Sequence, residues 1–270
     1  MILGAIPMRV KIALILAALV MLCISVSGKE YTPDYWFQKG NEYLYKGSYN
    51  ISIDCYNKAI ELDPQLADAW NNEGIALSNQ GKYDEAIQAY DKAIEINPQD
   101  AGTWTVKGLA LNSQGKCNEA IQAFDKALEI NPVNVDAWYN KGIALAELGK
   151  YNEAVQAYDK ALEINPQDAG TWNNKGVALG KQGKYDQAIL ACERAIEINS
   201  QYAEAWVNKG IALKNLGKYD EAIKAYDNAI KINPLLAEAW YNKGKALRAL
   251  GRTAEVDVAF ARAKQLGYKG

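Results

Sequence analysis

The chain contains no histidine among its 270 residues. That removes the commonest general base, every Ser-His-Asp arrangement and the His-containing zinc sites. Cysteine is scarce. Cys23, Cys55, Cys117 and Cys192 stand far apart, so none has metal-ligand spacing and the set does not read as a disulfide framework. There is no surplus of positive charge either. The formal net charge is −2, which is no footprint for nucleic acid. Gly-rich phosphate loops are absent, because the glycines fall singly at regular intervals. The one long uncharged, mostly apolar run, Ile12 to Val26, has 15 residues, short of the roughly 20 that a spanning helix needs.

Carboxylates are plentiful, but they recur with a fixed period, as solvated helix faces do. No site breaks that period in the way an active site would. A non-catalytic protein without cofactor or metal is therefore expected.

What is present is repetition. The seven tryptophans are Trp36, Trp70, Trp104, Trp138, Trp172, Trp206 and Trp240, each 34 residues from the next. A 34-residue period points to a helical solenoid. With tryptophan at repeat position 4, the repeats run 33–66, 67–100, 101–134, 135–168, 169–202, 203–236 and 237–270. Position 8 is always Gly (Gly40 to Gly244), position 15 always Gly (Gly47 to Gly251) and position 27 always Ala (Ala59 to Ala263). Position 24 is aromatic except at Cys192, and position 32 is Pro in five repeats.

Positions 4, 8 and 11 share one face of a first helix, and positions 17, 20, 21, 24, 27 and 28 one face of a second. Gly at 15 suits a left-handed residue after a helix C-terminus. Acidic residues at 18 and 19 suit the next helix's N-terminus. Asn-Pro at 31–32 ends the second helix. Small residues at 8, 20 and 27 allow close approach, and the ring at 4 or 24 fills the gap. One such hairpin cannot bury its apolar face alone, so neighbours stack.

This pattern resembles the tetratricopeptide repeat family over residues 33–270. Two departures stand out. Position 7, usually Leu in the family, is Lys in six repeats and Glu73 in the other; repeat 7 degrades, with Val256 at position 20 and Tyr268 at position 32. The resemblance implies an all-α fold, a right-handed superhelical solenoid of antiparallel helix pairs, that binds proteins or extended peptides. Each Lys at position 7 is expected to lay its stem over the tryptophan and reach water with its head.

Positions 2, 5, 6, 9 and 13 share another face of the first helix, which the resemblance places in a concave groove. Position 6 carries Asn72, Asn140, Asn174, Asn208 and Asn242, with Gln38 and Val106 in the other repeats. An amide offers an acceptor and donors, so a row of them matches both polar groups of a peptide backbone. Two readings stay open: a ligand-facing ladder, or repeat background in which the amides cap local backbone. Replacing all five by Ala is expected to leave stability within about ±0.5 kcal/mol, as for exposed positions.

Position 9 adds an aliphatic stripe (Ile75, Leu109, Ile143, Val177, Ile211) that ends at Lys245, and position 2 an acidic edge (Asp68, Asp136, Glu204, Glu238). Position 5 varies most. Asn71, Tyr139, Asn173 and Tyr241 are candidates there for setting specificity. Positions 2, 5 and 6 carry no Lys or Arg, and position 9 only Lys245, which argues against recognition of a peptide's terminal carboxylate.

The N-terminal segment, 1–28, reads as a signal peptide or signal anchor: Arg9 and Lys11, the apolar run, then Ser25-Val26-Ser27. Residues 29–32 are a short linker. The basic flank predicts that the repeats are extracytoplasmic, secreted or tethered to the membrane through residues 12–27. Cys55, Cys117 and Cys192 are expected to be buried free thiols. With no polar capping helix after repeat 7, end-to-end self-association is the rival expectation to peptide binding, and an accessory subunit of an envelope enzyme or secretion complex is a third.

Overall fold

The structure, a computed structural model, describes residues 31–269. The signal segment and its membrane tether therefore lie outside the described residues. Among the described residues there are fourteen α-helices and no helix long and apolar enough to cross a membrane. First helices occupy repeat positions 1–13: Pro33–Tyr45, Ala67–Asn79, Ala101–Ser113, Val135–Glu147, Ala169–Lys181, Ala203–Asn215 and Ala237–Ala249. Second helices begin at position 17: Tyr49–Leu62, Tyr83–Ile96, Cys117–Ile130, Tyr151–Ile164, Tyr185–Ile198, Tyr219–Ile232 and Thr253–Gln265.

Glycine at position 15 makes the turn. All seven have φ between 71° and 77°, a backbone that L side chains avoid. Glycine at position 8 has a different task. A Cβ on Gly142 would lie 2.5 Å from a ring carbon of Tyr158, so the position-24 ring lies flat on bare backbone. Tyr56, Tyr90, Phe124, Tyr158 and Tyr226 are in consequence the largest fully buried side chains.

The position-4 tryptophans are only partly buried and act at the junctions. Each indole N–H from Trp70 onward donates to the position-32 carbonyl of the preceding repeat, for example Trp138 Nε1 to Pro132 O at 2.9 Å. The Asn-Pro turn thus ends one hairpin and accepts the bond that seats the next.

The lysines at position 7 do not simply reach water. Lys107, Lys141, Lys175, Lys209 and Lys243 each lie 4.8–5.6 Å from the centre of their own repeat's indole. Each also pairs, at 2.5–2.8 Å, with the position-25 carboxylate of the preceding repeat: Asp91, Asp125, Asp159, Glu193 and Asp227. The lysine side chains are 19–21 % exposed, so the heads are largely covered by these contacts.

Cys55, Cys117 and Cys192 are buried and unpaired, and burial pushes the Cys192 thiol up to about 12. The position-24 hydroxyls differ in their partners. Tyr226 Oη makes no hydrogen bond among the described residues, whereas Tyr90 Oη lies 3.1 Å from Ser78 Oγ. Tyr226→Phe is expected to raise stability by about 1 kcal/mol, because a buried hydroxyl without a partner carries a desolvation cost. Urea unfolding of the two proteins checks the sign.

Candidate peptide groove and its amides

The first helices of successive repeats approach one another, and the second helices do not. The stack therefore curves with first helices on the inside. Positions 2, 6, 9 and 13 face that inner surface. Three cavities of about 270–330 Å³ lie along it, each between two successive first helices. Ile75 and Leu109 line one, Ile143 and Val177 the next, Val177 and Ile211 the third. Leu109 and Val177 are exposed, so the aliphatic stripe is open to the groove as well as packed below.

The amides are less free than their spacing suggests. Asn174 Nδ2 donates to Tyr139 Oη at 3.1 Å, and Asn208 Nδ2 to Asn173 Oδ1 at 2.9 Å. Asn173 Nδ2 reaches Tyr202 Oη at 3.4 Å. Asn72 Nδ2 donates to Asn41 Oδ1, which also accepts from Tyr56 Oη, and Asn71 Nδ2 donates to Asn72 Oδ1. Asn140 and Asn242 donate back to the carbonyls of Asp136 and Glu238, one helical turn earlier. Each position-6 amide thus uses one N–H internally. The carbonyl oxygens of Asn140, Asn174, Asn208 and Asn242 keep no bond to a described residue.

Position 5 lies deeper than a groove-lining site. Asn173 is 5 % exposed, Thr105 and Val207 are buried, and Tyr139 packs beside Tyr158. Burial raises the Tyr139 pKa, with Asp168 adding to it. Tyr241 stacks on Tyr268 at 4.1 Å, away from the other candidates, and Asn242 is 6 % exposed. Position 5 of one repeat therefore meets position 6 of the next, as Tyr139 with Asn174 and Asn173 with Asn208. This corrects the expected indifference of stability to the five-Ala variant. A lost internal hydrogen bond costs about 0.5–1.5 kcal/mol, and three of the five asparagines bridge repeats.

Cations near the groove also come from positions that the position-2, -5, -6 and -9 pattern leaves out. Lys181, at position 13, lines two of the three cavities. Lys214, at position 12, has its pKa lowered by burial and by Lys245. Helical spacing already puts position 13 on the groove face, whereas position 12 lies beside that face.

Tetratricopeptide repeat models match residues 67–100, 105–169, 169–202, 203–234 and 225–256, and a TPR repeat model matches 40–81. The chain belongs to the tetratricopeptide repeat family. No curated protein matches it. Among solved structures, one of MamA is 28 % identical, with a TM-score of 0.56 over 60 % of this chain and 95 % of that one. YrrB, described as a TPR protein with an unusual peptide-binding site, is 27 % identical, with a TM-score of 0.57 over 68 % of this chain and 94 % of its own. A tetratricopeptide repeat protein from Parabacteroides merdae is 20 % identical, with a TM-score of 0.69 over 90 % and 95 %, and shares the fold. A tetratricopeptide repeat chain with such neighbours is a protein-interaction scaffold.

Proposed function

We propose that the chain is a non-catalytic scaffold, exported or tethered to the membrane by residues 12–27, that holds an extended peptide segment of a partner protein in its concave groove. The observation that carries this is the alternation along the inner face. Small apolar cavities are lined by Asn174 and Asn208, which like Asn140 have carbonyl oxygens with no described partner and amide groups that keep a second N–H. That pairing of acceptor and donor suits backbone, and the cavities suit small aliphatic side chains. Arg9, Lys11 and the run that follows support export.

The test is a crosslinking pull-down from envelope extracts with three proteins: wild type, the triple variant Asn140→Ala, Asn174→Ala, Asn208→Ala, and Tyr139→Phe. The triple variant is expected to lose the partners that wild type captures while circular dichroism shows it helical. Tyr139→Phe removes the internal partner of Asn174 but keeps its amide, so it is expected to retain them. Identical captures by all three would retire the amide ladder. Self-crosslinks alone would favour end-to-end self-association, a reading supported by the exposed Tyr45 in the first helix and Val258 in the last.

A further inference from the structure

The six junctions between repeats are built alike, except the first. Five carry a lysine ammonium held between the indole at position 4 and the carboxylate at position 25 of the preceding repeat. Where repeat 1 meets repeat 2, position 7 is Glu73 and position 25 is Asn57. No cation of the described residues lies over Trp70. The place of the missing lysine is a cavity of about 890 Å³ lined by Trp70, Glu73 and Asn57, together with Asp54 and Glu85. It opens outward, between second helices whose backbones stay apart.

Glu73 is 9 % exposed, and its Oε2 is buried with no hydrogen-bond partner among the described residues. Glu73 lines the cavity, and no cation of the described residues pairs with its carboxyl. The other charged groups around it do not supply one. Asp54 belongs to the helix before, Lys82 precedes the helix after, and Glu85, Asp91 and Lys92 lie within it. Asp91 is paired with Lys107, and Lys92 with Glu95. Three acids remain against Lys82.

We propose that this cavity is a binding site for a primary alkylammonium group, which takes from outside the chain the place that lysine fills at the other junctions. The indole face attracts the cation, the Glu73 carboxylate accepts its hydrogen bonds, and the cavity accommodates an alkyl stem. Its source is either a free amine or a lysine side chain of a partner protein. The site is on the outer face, so it stands or falls separately from the concave groove.

The experiment uses the full chain in mild detergent, labelled with 5-fluorotryptophan, with the Trp70 signal identified through Trp70→Phe. Fluorine spectra are followed at about pH 8.5 with n-butylammonium, with the blocked tripeptide acetyl-Gly-Lys-Gly-amide and with n-butanol. The Trp70 signal alone is expected to move saturably with both cations and not with butanol. Tighter binding of the tripeptide identifies a partner's lysine as the source, and tighter binding of butylammonium a free amine. Glu73→Gln is expected to weaken binding about tenfold, the loss of one hydrogen bond to a charged group. Glu73→Lys restores the junction's own cation, and is expected to abolish binding while the protein stays helical. A Trp70 signal indifferent to both cations, one that butanol moves equally, or one that titrates unchanged in both Glu73 variants would overturn the proposal.

Discussion

Tyr158→Ala is expected to destabilise the protein by about 3–5 kcal/mol, the cost of truncating a fully buried aromatic ring. Tyr158 is 2 % exposed and lies against the bare backbone of Gly142, so removing the ring leaves a void that the helix pair cannot close without sliding. The tryptophans that define the period rank second. Trp138 is partly exposed; it packs against the cores on both sides of its junction, donates one hydrogen bond to Pro132 O and meets Lys141. Trp138→Ala is expected to cost about 2 kcal/mol, from the area removed from water. Unfolding of both variants by urea, with wild type, measures the order. A larger loss for Trp138→Ala would place the main anchor at the junctions instead of inside the repeats.

Glu73 sets a dependence of stability on pH. Burial, reinforced by Glu85, raises its carboxyl from 4.5 to about 7. Below about pH 4.5 the group is neutral in both states and the fold keeps its full stability. Between there and about 7, the unfolded chain releases the proton while the folded chain holds it, so stability falls as pH rises. Above about 7 the loss is complete. At about 1.4 kcal/mol per pKa unit, it is on the order of 3 kcal/mol. Glu73→Gln removes this contribution at nearly constant volume. The variant is expected to match wild type near pH 4 and to exceed it by about 3 kcal/mol near pH 8. The difference between the two proteins isolates Glu73 from every other titrating group. A difference that stays constant with pH would mean that the carboxylate is well solvated in the fold. Hydrogen exchange over 67–96 locates the effect, because stability in a stacked solenoid is largely local to a repeat and its neighbours.

By itself the sequence determined the repeat length, the pair of helices in each repeat and the two tasks of glycine. Those follow from interactions within one hairpin, where spacing along the chain fixes which side chains share a face. It also marked Glu73 as the one departure from lysine at position 7. Only the tertiary structure decided what each face meets. The lysine heads pair with carboxylates of the preceding repeat, 16 residues earlier in the chain, as Lys107 does with Asp91. The amides of Asn174 and Asn208 bond to residues 35 positions away, so a pattern that reads as a free ladder is partly committed to holding repeats together. Curvature opened the outer wedge at Trp70 and Glu73. A hydrogen-bonding group has a fixed number of donors and acceptors, and periodicity cannot say who takes them; the neighbouring repeat does.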